Sequence, residues 1–509
     1  MSRLSEARQP GIPARRVALL AVALAALNMY RFADLSCAVD DSWISFRVAR
    51  TLLDTGKLTY DAAMPPVEGM TNLLWTLLSV LWVKLPVDPI GPARLIGAIC
   101  HLLTVGVLSQ SAADLAARLG GRPAIAAGVT GVLLATSGTL AFNAISGLET
   151  SFYGILVAFA LTRLTRGNYA LGGLCLGLAA ATRPEGVLLG GLVLSGLVAS
   201  RQPRAAVFGA AVPFGLVVLC LEVFRRAYYG QWVPNTFFAK PPGLGLGLEY
   251  VASGVLWGTG LFGLFGLLPV AGRSRAAACA AAALPLLLAA TAWSGGDWMP
   301  GARRLTEVFL IAAPLLGISV AIAENVLQRL TAGVAALAWA AGSFSAAITG
   351  WDSARFDHER VAAMGQAAAR SAGVNSVALA DIGRFGWEFP GSIFDVVGLT
   401  DAHIARLDGP HGEKAWDEEY FRRRNPDLVL IRCETRITDP LSVEPSIPDG
   451  ERALMISILD HGGYRYHGQY PLSPGHWILV FPRDGLVLDP RLWGPQSPRD
   501  LRDILIDQQ

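Results

Sequence analysis

Charged residues are scarce in this chain, and that shortage is its first informative property. Of its 509 residues, 16% are Asp, Glu, Lys or Arg, whereas 52% are hydrophobic and the mean hydropathy is +0.43. Soluble domains carry about 25% charged residues. An ordinary soluble protein is therefore excluded, and the composition predicts a chain that lies largely within a membrane.

Two further absences exclude common function classes. There is no run of Lys and Arg and the formal net charge is +2, so nothing indicates a nucleic-acid partner. The six cysteines form no CxxC pair and four of them lie in apolar runs, so neither a metal framework nor a disulfide framework is indicated. We also find no internal repeat.

Apolar runs follow one another from residue 16 to residue 350, whereas 351–509 has the composition of a soluble domain. A membrane-spanning helix needs about 20 apolar residues, which gives about eleven spans. We therefore predict a polytopic α-helical membrane domain, 1–350, followed by a globular domain, 351–509. The predicted spans lie near 16–36, 92–116, 123–141, 148–163, 168–182, 186–200, 205–223, 250–272, 276–293, 305–323 and 329–350.

Arginines orient the predicted spans. Every second loop carries arginine, as does the segment before the first run, and the positive-inside rule makes that side cytoplasmic. Counting the apolar run 72–85 as a span would invert all later loops, so we interpret it as a membrane-edge helix in a first external loop, 37–91. The C-terminal domain is then expected to be periplasmic, on a multi-pass protein of the bacterial inner membrane.

Asp40 and Asp41 stand side by side where the first apolar run ends. An acid at a membrane edge is a functional-site hypothesis by default. A like-charged neighbour raises the pKa of one carboxylate and keeps a proton acceptor near working pH. We predict that the pair is catalytic and acts on a substrate hydroxyl; the alternatives are cation binding, or a helix N-cap followed by a first-turn acid.

Three short motifs place further charges on the same predicted side. Glu68 lies in VEGMTN (67–72), Glu149 lies in SGLETSF (146–152), and TRPEG (182–186) holds Arg183 and Glu185. The alternatives are solvated glutamates at the membrane edge and a proline turn with an internal Arg–Glu pair. Because a guanidinium matches phosphate geometry, we predict that Arg183 contacts phosphate or sugar.

Two external segments combine aromatic and polar residues, RRAYYGQWVPNTFFAK (225–240) and SGGDWMPGARR (294–304). Rings under sugar C–H faces and amides at hydroxyls are typical of carbohydrate recognition. The alternatives are an interfacial aromatic belt and an ordinary Gly-rich loop. The predicted donor phosphate- and sugar-binding residues are Arg47, Glu68, Asn72, Glu149, Arg183, Glu185, Asn235, Lys240, Asp297, Trp298, Arg303 and Arg304.

The C-terminal part alternates apolar strands with turns. Strands are predicted in 376–381, 392–399, 425–431 and 476–482 and a helix in 413–424, which together indicate an α/β domain. Asp381, Asp395 and Asp401 fit turn or cap acids. The alternative is that Asp381 and Arg384 help to bind an acceptor.

The motifs together resemble a known group. DD-WISFR, GK-L-Y, VEG-TN-LW, GLET, TRPEG, YYG--VPNTFFAK, GGDWMPG-R and DIG----------FDVVGLTD occur in one order and resemble the mycobacterial-type terminal arabinofuranosyltransferase family of the GT-C glycosyltransferase superfamily. The resemblance runs from about residue 38 to at least 432. It departs from the family at GMTN (69–72), where an aromatic often precedes TN, and at LADIGRFGW, where Arg384 replaces a small residue.

The resemblance implies an enzyme that takes arabinofuranose from decaprenyl-phosphoryl-arabinose and transfers it to a glycan hydroxyl outside the cytoplasm. It carries the superfamily's first-loop acid onto Asp40 or Asp41. The partners it implies are the polyprenyl-phosphate sugar donor, a cell-envelope glycan or glycoconjugate acceptor, and the bilayer. No cofactor and no metal site are predicted, although Asp40, Asp41 and Glu149 are oxygen ligands suited to a divalent cation.

A transporter or flippase of a lipid-linked sugar or glycan is the alternative from another functional class. Such proteins use intramembrane charges and broken helices. The polar motifs of this chain instead collect on one predicted side, whereas alternating access needs a midplane site. We therefore favour the glycosyltransferase hypothesis.

Overall fold

A computed structural model describes residues 13–30, 38–258, 267–297, 299, 301–326, 328–330, 333–335, 337–339, 358–433, 447, 449–473 and 476–494. The chain separates into two compact units. The helical unit comprises Met1–Cys37, Pro92–Leu221 and Pro242–Ala354, and the sheet unit comprises Ala38–Gly91, Glu222–Pro241 and Arg355–Gln509. The division predicted from the sequence, 1–350 and 351–509, stays a prediction.

Apolar helices account for most of the helical unit. Within the described residues, four helices are long and apolar enough to cross a membrane, or five if one bent pair counts as a single span. This agrees with a polytopic helical membrane protein, whereas the number of about eleven spans stays a prediction. The helices are Ala14–Tyr30, Ile90–Arg118, Pro123–Thr136, Gly138–Ile145, Thr150–Thr165, Tyr169–Thr182, Glu185–Ala199, Arg204–Tyr229, Leu244–Gly258, Leu268–Arg273, Arg275–Trp293 and Thr306–Ile322. The first two residues of Ile90–Arg118 and the last eight of Arg204–Tyr229 are counted with the sheet unit.

One predicted span differs from a single straight helix. The run 123–141 forms two helices, Pro123–Thr136 and Gly138–Ile145, bent by 58°. The bend lies at Ser137, which has an extended backbone, and its hydroxyl accepts a hydrogen bond from the N–H of Leu140 at 3.3 Å. A serine that caps a new helix in this way ends the preceding one.

Glycines allow close approach between helices of this unit. A Cβ on Gly173 would lie 2.0 Å from the carbonyl oxygen of Ala210, and one on Gly97 would lie 2.2 Å from that of Ala144. Membrane helices pack through small residues because lipid tails leave no hydrophobic driving force between helices. These contacts explain why the apolar runs are rich in glycine and alanine.

The sheet unit begins with two helices of the predicted first external loop. They are Asp41–Thr55 and Leu73–Val83, and the second has only 11 residues. An apolar helix of that length is too short to span a bilayer. The helix predicted in 72–85 is therefore present, and its place at the membrane edge stays a prediction.

A five-stranded mixed sheet follows in the order β2-β1-β3-β5-β4. Strand β1 (Ser376–Leu379) pairs in parallel with β2 (Ser392–Asp395) and β3 (Leu428–Cys433), whereas β5 (His476–Pro482) pairs antiparallel with β3 and β4 (Gly468–Ser473). The four strands predicted from sequence are confirmed, and β4 was not predicted. The sheet unit also contains helices Thr236–Ala239, His358–Arg370, Ile382–Glu388, Glu418–Arg424, Asp449–His461 and Pro490–Trp493.

Apolar side chains of the central strands form the core of this sheet. Val429 and Leu479 are fully buried, and Leu454 of the helix Asp449–His461 packs in the same cluster. The helix predicted in 413–424 starts only at Glu418, because the carboxylate of Asp417 accepts a hydrogen bond from the N–H of Tyr420 at 2.9 Å. That N-cap fixes the first turn.

Candidate active site

The carboxylate of Asp40 is held by two backbone groups. Asp40 immediately precedes the helix Asp41–Thr55, and its Oδ2 and Oδ1 accept hydrogen bonds from the N–H groups of Gly383 (2.8 Å) and Arg384 (2.7 Å). A Cβ on Gly383 would lie 2.4 Å from Oδ2. Only glycine therefore lets this backbone come so close to the carboxylate.

Burial raises the pKa of Asp40 to about 7, and the negative charges of Asp381 and Asp41 act in the same direction. The hydrogen bonds from Arg384 and Gly383 stabilise the anion and lower the pKa, but they do not offset the burial. A carboxylate with a pKa near working pH suits a general base. Two accepted hydrogen bonds still leave lone pairs on both oxygens.

Asp381 and Arg384, the predicted acceptor-binding pair, lie around this carboxylate in the sheet unit. Asp381 forms an ion pair with Arg432 at 3.3 Å. The guanidinium of Arg384 pairs with Glu388 at 2.9 Å and also with Asp88. Both side chains are thus partnered, and their role in acceptor binding stays a prediction.

Asp395 and Asp401 fit the predicted turn and cap acids. Oδ2 of Asp395 accepts the N–H of Thr400 at 2.7 Å, and Oδ1 of Asp401 accepts the N–H of His403 at 2.9 Å. Burial raises the pKa of Asp395 to about 6. Both carboxylates thus stabilise the segment that follows β2.

Arg47 and Asn72 are buried in contacts within the sheet unit. The Arg47 guanidinium donates to the carbonyl oxygens of Tyr60, Gly386, Phe389 and Gly391 at 2.5–3.1 Å. The Oδ1 atom of Asn72 accepts hydrogen bonds from Ser45 at 3.1 Å and Thr76 at 3.0 Å. These contacts position backbone and helices, and a contact of either residue with the donor stays a prediction.

Glu68 lies in a buried ion pair that the sequence did not predict. Its Oε2 is 2.6 Å from Nε of Arg225, which also pairs with Glu222. Burial raises the pKa of Glu68, while its hydrogen bond from Arg225 lowers it. Arg225 stands at the start of the motif 225–240, yet its partner is 157 residues away, so no local spacing could reveal the pair.

The side-chain amide of Asn235 forms hydrogen bonds through both its nitrogen and its oxygen. Its Nδ2 donates to the carbonyl oxygens of Gly398 at 2.9 Å and Leu399 at 3.0 Å, and its Oδ1 accepts from Arg406 at 3.1 Å. Lys240 is half-buried just after the helix Thr236–Ala239. Asn235 thus fixes the fold of this segment, and its predicted contact with the donor stays a prediction.

The helical unit brings together a second set of predicted residues. Arg183 pairs with Glu149 at 2.7 Å and with Glu185 at 3.1 Å, and Arg304 pairs with Glu185 at 3.0 Å. We call Glu149, Arg183, Glu185 and Arg304 the ionic cluster. The Arg183 and Glu149 side chains are only 6% and 3% exposed, so their pairing is required to keep these charges buried.

The residues of the ionic cluster lie at or close to the starts of helices. Glu149 directly precedes the helix Thr150–Thr165, Glu185 opens Glu185–Ala199, and Arg304 lies in the turn before Thr306–Ile322. Asp297 and Arg303 pair nearby in sequence at 2.5 Å. The expected Arg183–Glu185 pair of TRPEG is present, whereas predicted Trp298 lies outside the described residues. Donor binding by these residues stays a prediction.

Within the described part of the chain, no three His, Cys, Asp or Glu side chains lie close enough to hold a metal ion.

The structure is similar to two crystal structures of ArnT from Cupriavidus metallidurans. The one bound to undecaprenyl phosphate gives a TM-score of 0.56 with 14% identity and covers 93% of this chain and 99% of that chain. The apo structure gives 0.57 with 15% identity over 95% and 100%. The chain has the fold of ArnT. Membership of the GT-C superfamily and the arabinofuranosyltransferase subtype both stay predictions.

Two further similarities are weaker or cover only part of the chain. A cryo-EM structure of the arabinofuranosyltransferase AftD from Mycobacteria gives a TM-score of 0.47 with 15% identity, over 95% of this chain and 40% of that chain. The family model of a domain of unknown function, DUF8728, matches residues 349–487. No curated protein matches the sequence.

Proposed function

We propose that this protein is a membrane glycosyltransferase that transfers a sugar from a polyprenyl-phosphate donor to a cell-envelope glycan or glycoconjugate. The observation that carries the proposal is the Asp40 carboxylate, with a pKa of about 7 beside Asp41, in a chain with the fold of ArnT. One of the similar ArnT structures is bound to undecaprenyl phosphate. That ligand supports a lipid-linked donor for this chain.

The sugar proposed is D-arabinofuranose. Its support is the ordered set of motifs from DD-WISFR to FDVVGLTD, which resemble the arabinofuranosyltransferase family. The reaction is proposed to occur on the extracytoplasmic face of the membrane, where the arginine distribution orients the first-loop acids.

Asp40 is proposed as the proton acceptor. The acceptor hydroxyl oxygen attacks the anomeric carbon, the bond from that carbon to the phosphate oxygen breaks, and polyprenyl phosphate leaves as the anion. The hydroxyl proton passes to the carboxylate of Asp40, which the N–H groups of Gly383 and Arg384 hold in one orientation. Burial contributes most to the raised pKa of Asp40, and the negative charges of Asp381 and Asp41 raise it further.

The departing phosphate needs positive charge, because charge develops on it in the transition state. Arg183, Arg303 and Arg304 of the helical unit are proposed for that role, and Lys240 of the sheet unit is a separate predicted phosphate contact. Each of these arginines has a carboxylate partner, so a phosphate would compete with Glu149, Glu185 or Asp297 for the guanidinium. Such competition would let the charges stay paired before the donor binds.

The test uses purified protein, synthetic decaprenyl-phosphoryl-arabinose and a panel of oligosaccharide acceptors. Loss of a general base costs about 10²–10⁴-fold in rate, so Asp40→Asn should lose at least about a hundredfold. Asp54→Asn is the matched control, since Asp54 is an exposed acid on the same helix. Undiminished transfer by both Asp40→Asn and Asp41→Asn would overturn the mechanism. Donor accumulation inside vesicles without a glycoside product would favour transport.

A further inference from the structure

The sheet unit contains a cavity of about 490 Å³. Three segments that are far apart in sequence line it, 66–68, 229–235 and 402–407. Ligand sites commonly have volumes of about 300–1,000 Å³. The cavity is therefore large enough for a small ligand such as one or more sugar residues.

Internal hydrogen bonds fix the walls of the cavity. The N–H of Asn235 donates to the carbonyl oxygen of Glu68 at 3.0 Å, and the Asn235 amide ties its segment to Gly398 and Leu399. Glu68, in the first of the three lining segments, is held by its ion pair with Arg225. A cavity with such walls is formed before a ligand arrives, which reduces the entropy lost on binding.

Arg406 supplies a cation at the cavity wall. Its guanidinium lies 4.2 Å from the ring centre of Phe238, and its Nη1 donates to Asn235 Oδ1 and to the carbonyl oxygen of Ala402. Among the residues that the structure describes, none accepts a hydrogen bond from Nε or Nη2 of Arg406, and no carboxylate oxygen lies within 4.0 Å of its guanidinium nitrogens. These N–H groups are available to a hydroxyl or an acidic group of a ligand.

The other lining groups suit a polar ligand with apolar faces. Gln231 is exposed, so its amide can both donate and accept hydrogen bonds. The ring of His403 stacks on Tyr420 at 4.0 Å and its Nε2 lies 2.8 Å from Asp417, which orients the imidazole. The Tyr229 hydroxyl donates to the carbonyl oxygen of Leu58 at 2.7 Å, leaving its ring as a wall. Amide, guanidinium and aromatic groups together are typical of saccharide sites.

A polyprenyl-linked donor fits this cavity less well than a glycan does. Such a donor carries a long apolar chain, which requires contact with apolar membrane helices. Of the lining residues, only Tyr229 belongs to a helix apolar enough to span a membrane, and it is the last residue of that helix. The other lining residues lie in the first loop, after that helix, or in the segment following β2.

We propose that this cavity is a subsite for a saccharide unit of the acceptor, with Arg406 and Gln231 as its hydrogen-bonding residues. This inference rests on the proposed glycosyltransferase function. It assigns acceptor recognition partly to residues 402–407, which the sequence did not predict as a site and which lie within the segment matched by DUF8728.

Steady-state kinetics of the purified full-length protein test the subsite. A hydrogen bond to a charged group contributes enough that its loss weakens binding about tenfold or more, so Arg406→Ala should raise the acceptor KM by at least that factor. The donor KM should be unchanged. Gln231→Ala should raise the acceptor KM by about threefold, as expected for a neutral hydrogen bond. Because Gln231 has no hydrogen bond within the described residues, this second variant keeps the fold intact.

Arg370→Ala is the matched control, since Arg370 is exposed and does not line the cavity. A raised donor KM in Arg406→Ala would assign the cavity to the donor and overturn the proposal. Unchanged KM values for both substrates in both cavity variants would also overturn it.

A binding measurement separates failure of the subsite from failure of the proposed function. A linear α-1,5-arabinofuranose hexasaccharide and an α-1,6-mannose tetrasaccharide are titrated against the wild type and Arg406→Ala, without donor. Wild-type binding that is lost in the variant supports the subsite even if no transfer is ever detected. Failure of both probes to bind the wild type would overturn the subsite, whereas transfer by that same wild type would leave the enzyme activity established.

Discussion

At the residue scale, the environment of Asp40 combines opposing effects on one carboxylate. Burial and the charges of Asp381 and Asp41 favour its protonated form, whereas the N–H groups of Gly383 and Arg384 favour the anion. Because burial dominates, the pKa rises to about 7. A base of this kind is deprotonated above that pH, so activity should fall as the pH drops below about 7.

Replacing Asp381 tests the electrostatic part of this argument. Asp381→Asn removes the neighbouring charge that contributes most to the raised pKa of Asp40. The acid limb of the kcat/KM profile should then move to lower pH by about one unit. The profile is measured from pH 4 to pH 9 beside Asp484→Asn, an exposed acid in a turn. A limb that stays near pH 7 in Asp381→Asn would show that Asp40 is not the titrating base.

Gly383→Ala tests the contact geometry. The added Cβ would lie 2.0 Å from the Asp40 carbonyl oxygen and 2.4 Å from its Oδ2, so backbone or carboxylate must shift. Overpacking of this kind costs about 1–3 kcal/mol, and we expect both a lower unfolding temperature and a large loss of kcat. Gly91→Ala is the matched control, because a Cβ on Gly91 would have no atom within 4 Å. Gly485→Ala is unsuitable, because the φ of +84° at Gly485 would strain an alanine. Equal activity of Gly383→Ala and Gly91→Ala would contradict the proposed positioning.

Sequence reasoning could name Asp40 and Asp41 as candidates, but it could not find the hydrogen-bond partners of Asp40. The adjacent acids, the basic motifs and the aromatic segments are visible as local patterns. The hydrogen bonds from Gly383 and Arg384 join residues 343 and 344 positions apart, and no local pattern encodes such a pairing. The same limit hid the use of Arg47 as a donor to the carbonyls of 386–391.

At the element scale, the ionic cluster links the starts of three helices of the helical unit. Arg183→Met would leave the buried carboxylates Glu149 and Glu185 short of a cation, and breaking a buried ion pair costs about 3–5 kcal/mol. We expect Arg183→Met to have a clearly lower unfolding temperature, measured by tryptophan fluorescence in detergent. Arg166→Met is the control because its pair with Asp114 is exposed and should contribute only about 0–1 kcal/mol. Equal shifts in the two variants would contradict a structural role for the cluster.

Elements with a strong local pattern were predicted well. β3 and β5 are continuous apolar runs, and the structure has strands there. β4 escaped prediction because Gly468–Ser473 contains Gly and Pro, which disfavour strands. The break at Ser137 was missed because the apolar run continues through it, and only the extended backbone of that residue reveals the bend.

At the scale of the whole molecule, the predicted orientation can be measured directly. Ile456→Cys places a thiol at an exposed position of the C-terminal part, and Gln202→Cys places one in a loop predicted to be cytoplasmic. Cys220, the exposed native cysteine among the described residues, is first changed to serine. A membrane-impermeant maleimide should then label position 456 in intact spheroplasts. Position 202 should react only after permeabilisation. The reverse pattern would invert the proposed topology.

Composition and the lengths of the apolar runs predicted a polytopic helical membrane protein, and the structure agrees with it, whereas the sugar and the acceptor depend on resemblance alone. Span lengths follow from bilayer thickness, so apolar composition predicts them. The proposed saccharide subsite is lined by three segments that are distant in sequence, so no local pattern pointed to Arg406.

One measurement tests the central claim most directly. It follows the transfer of radiolabelled arabinose from decaprenyl-phosphoryl-arabinose to oligosaccharide acceptors, by the wild type and by the Asp40→Asn/Asp41→Asn double variant. We predict a glycoside product with the wild type, with polyprenyl phosphate released in equal amount, and a loss of at least about a hundredfold in the double variant. Undiminished glycoside formation by the double variant, or no glycoside from the folded wild type with any acceptor, would contradict it.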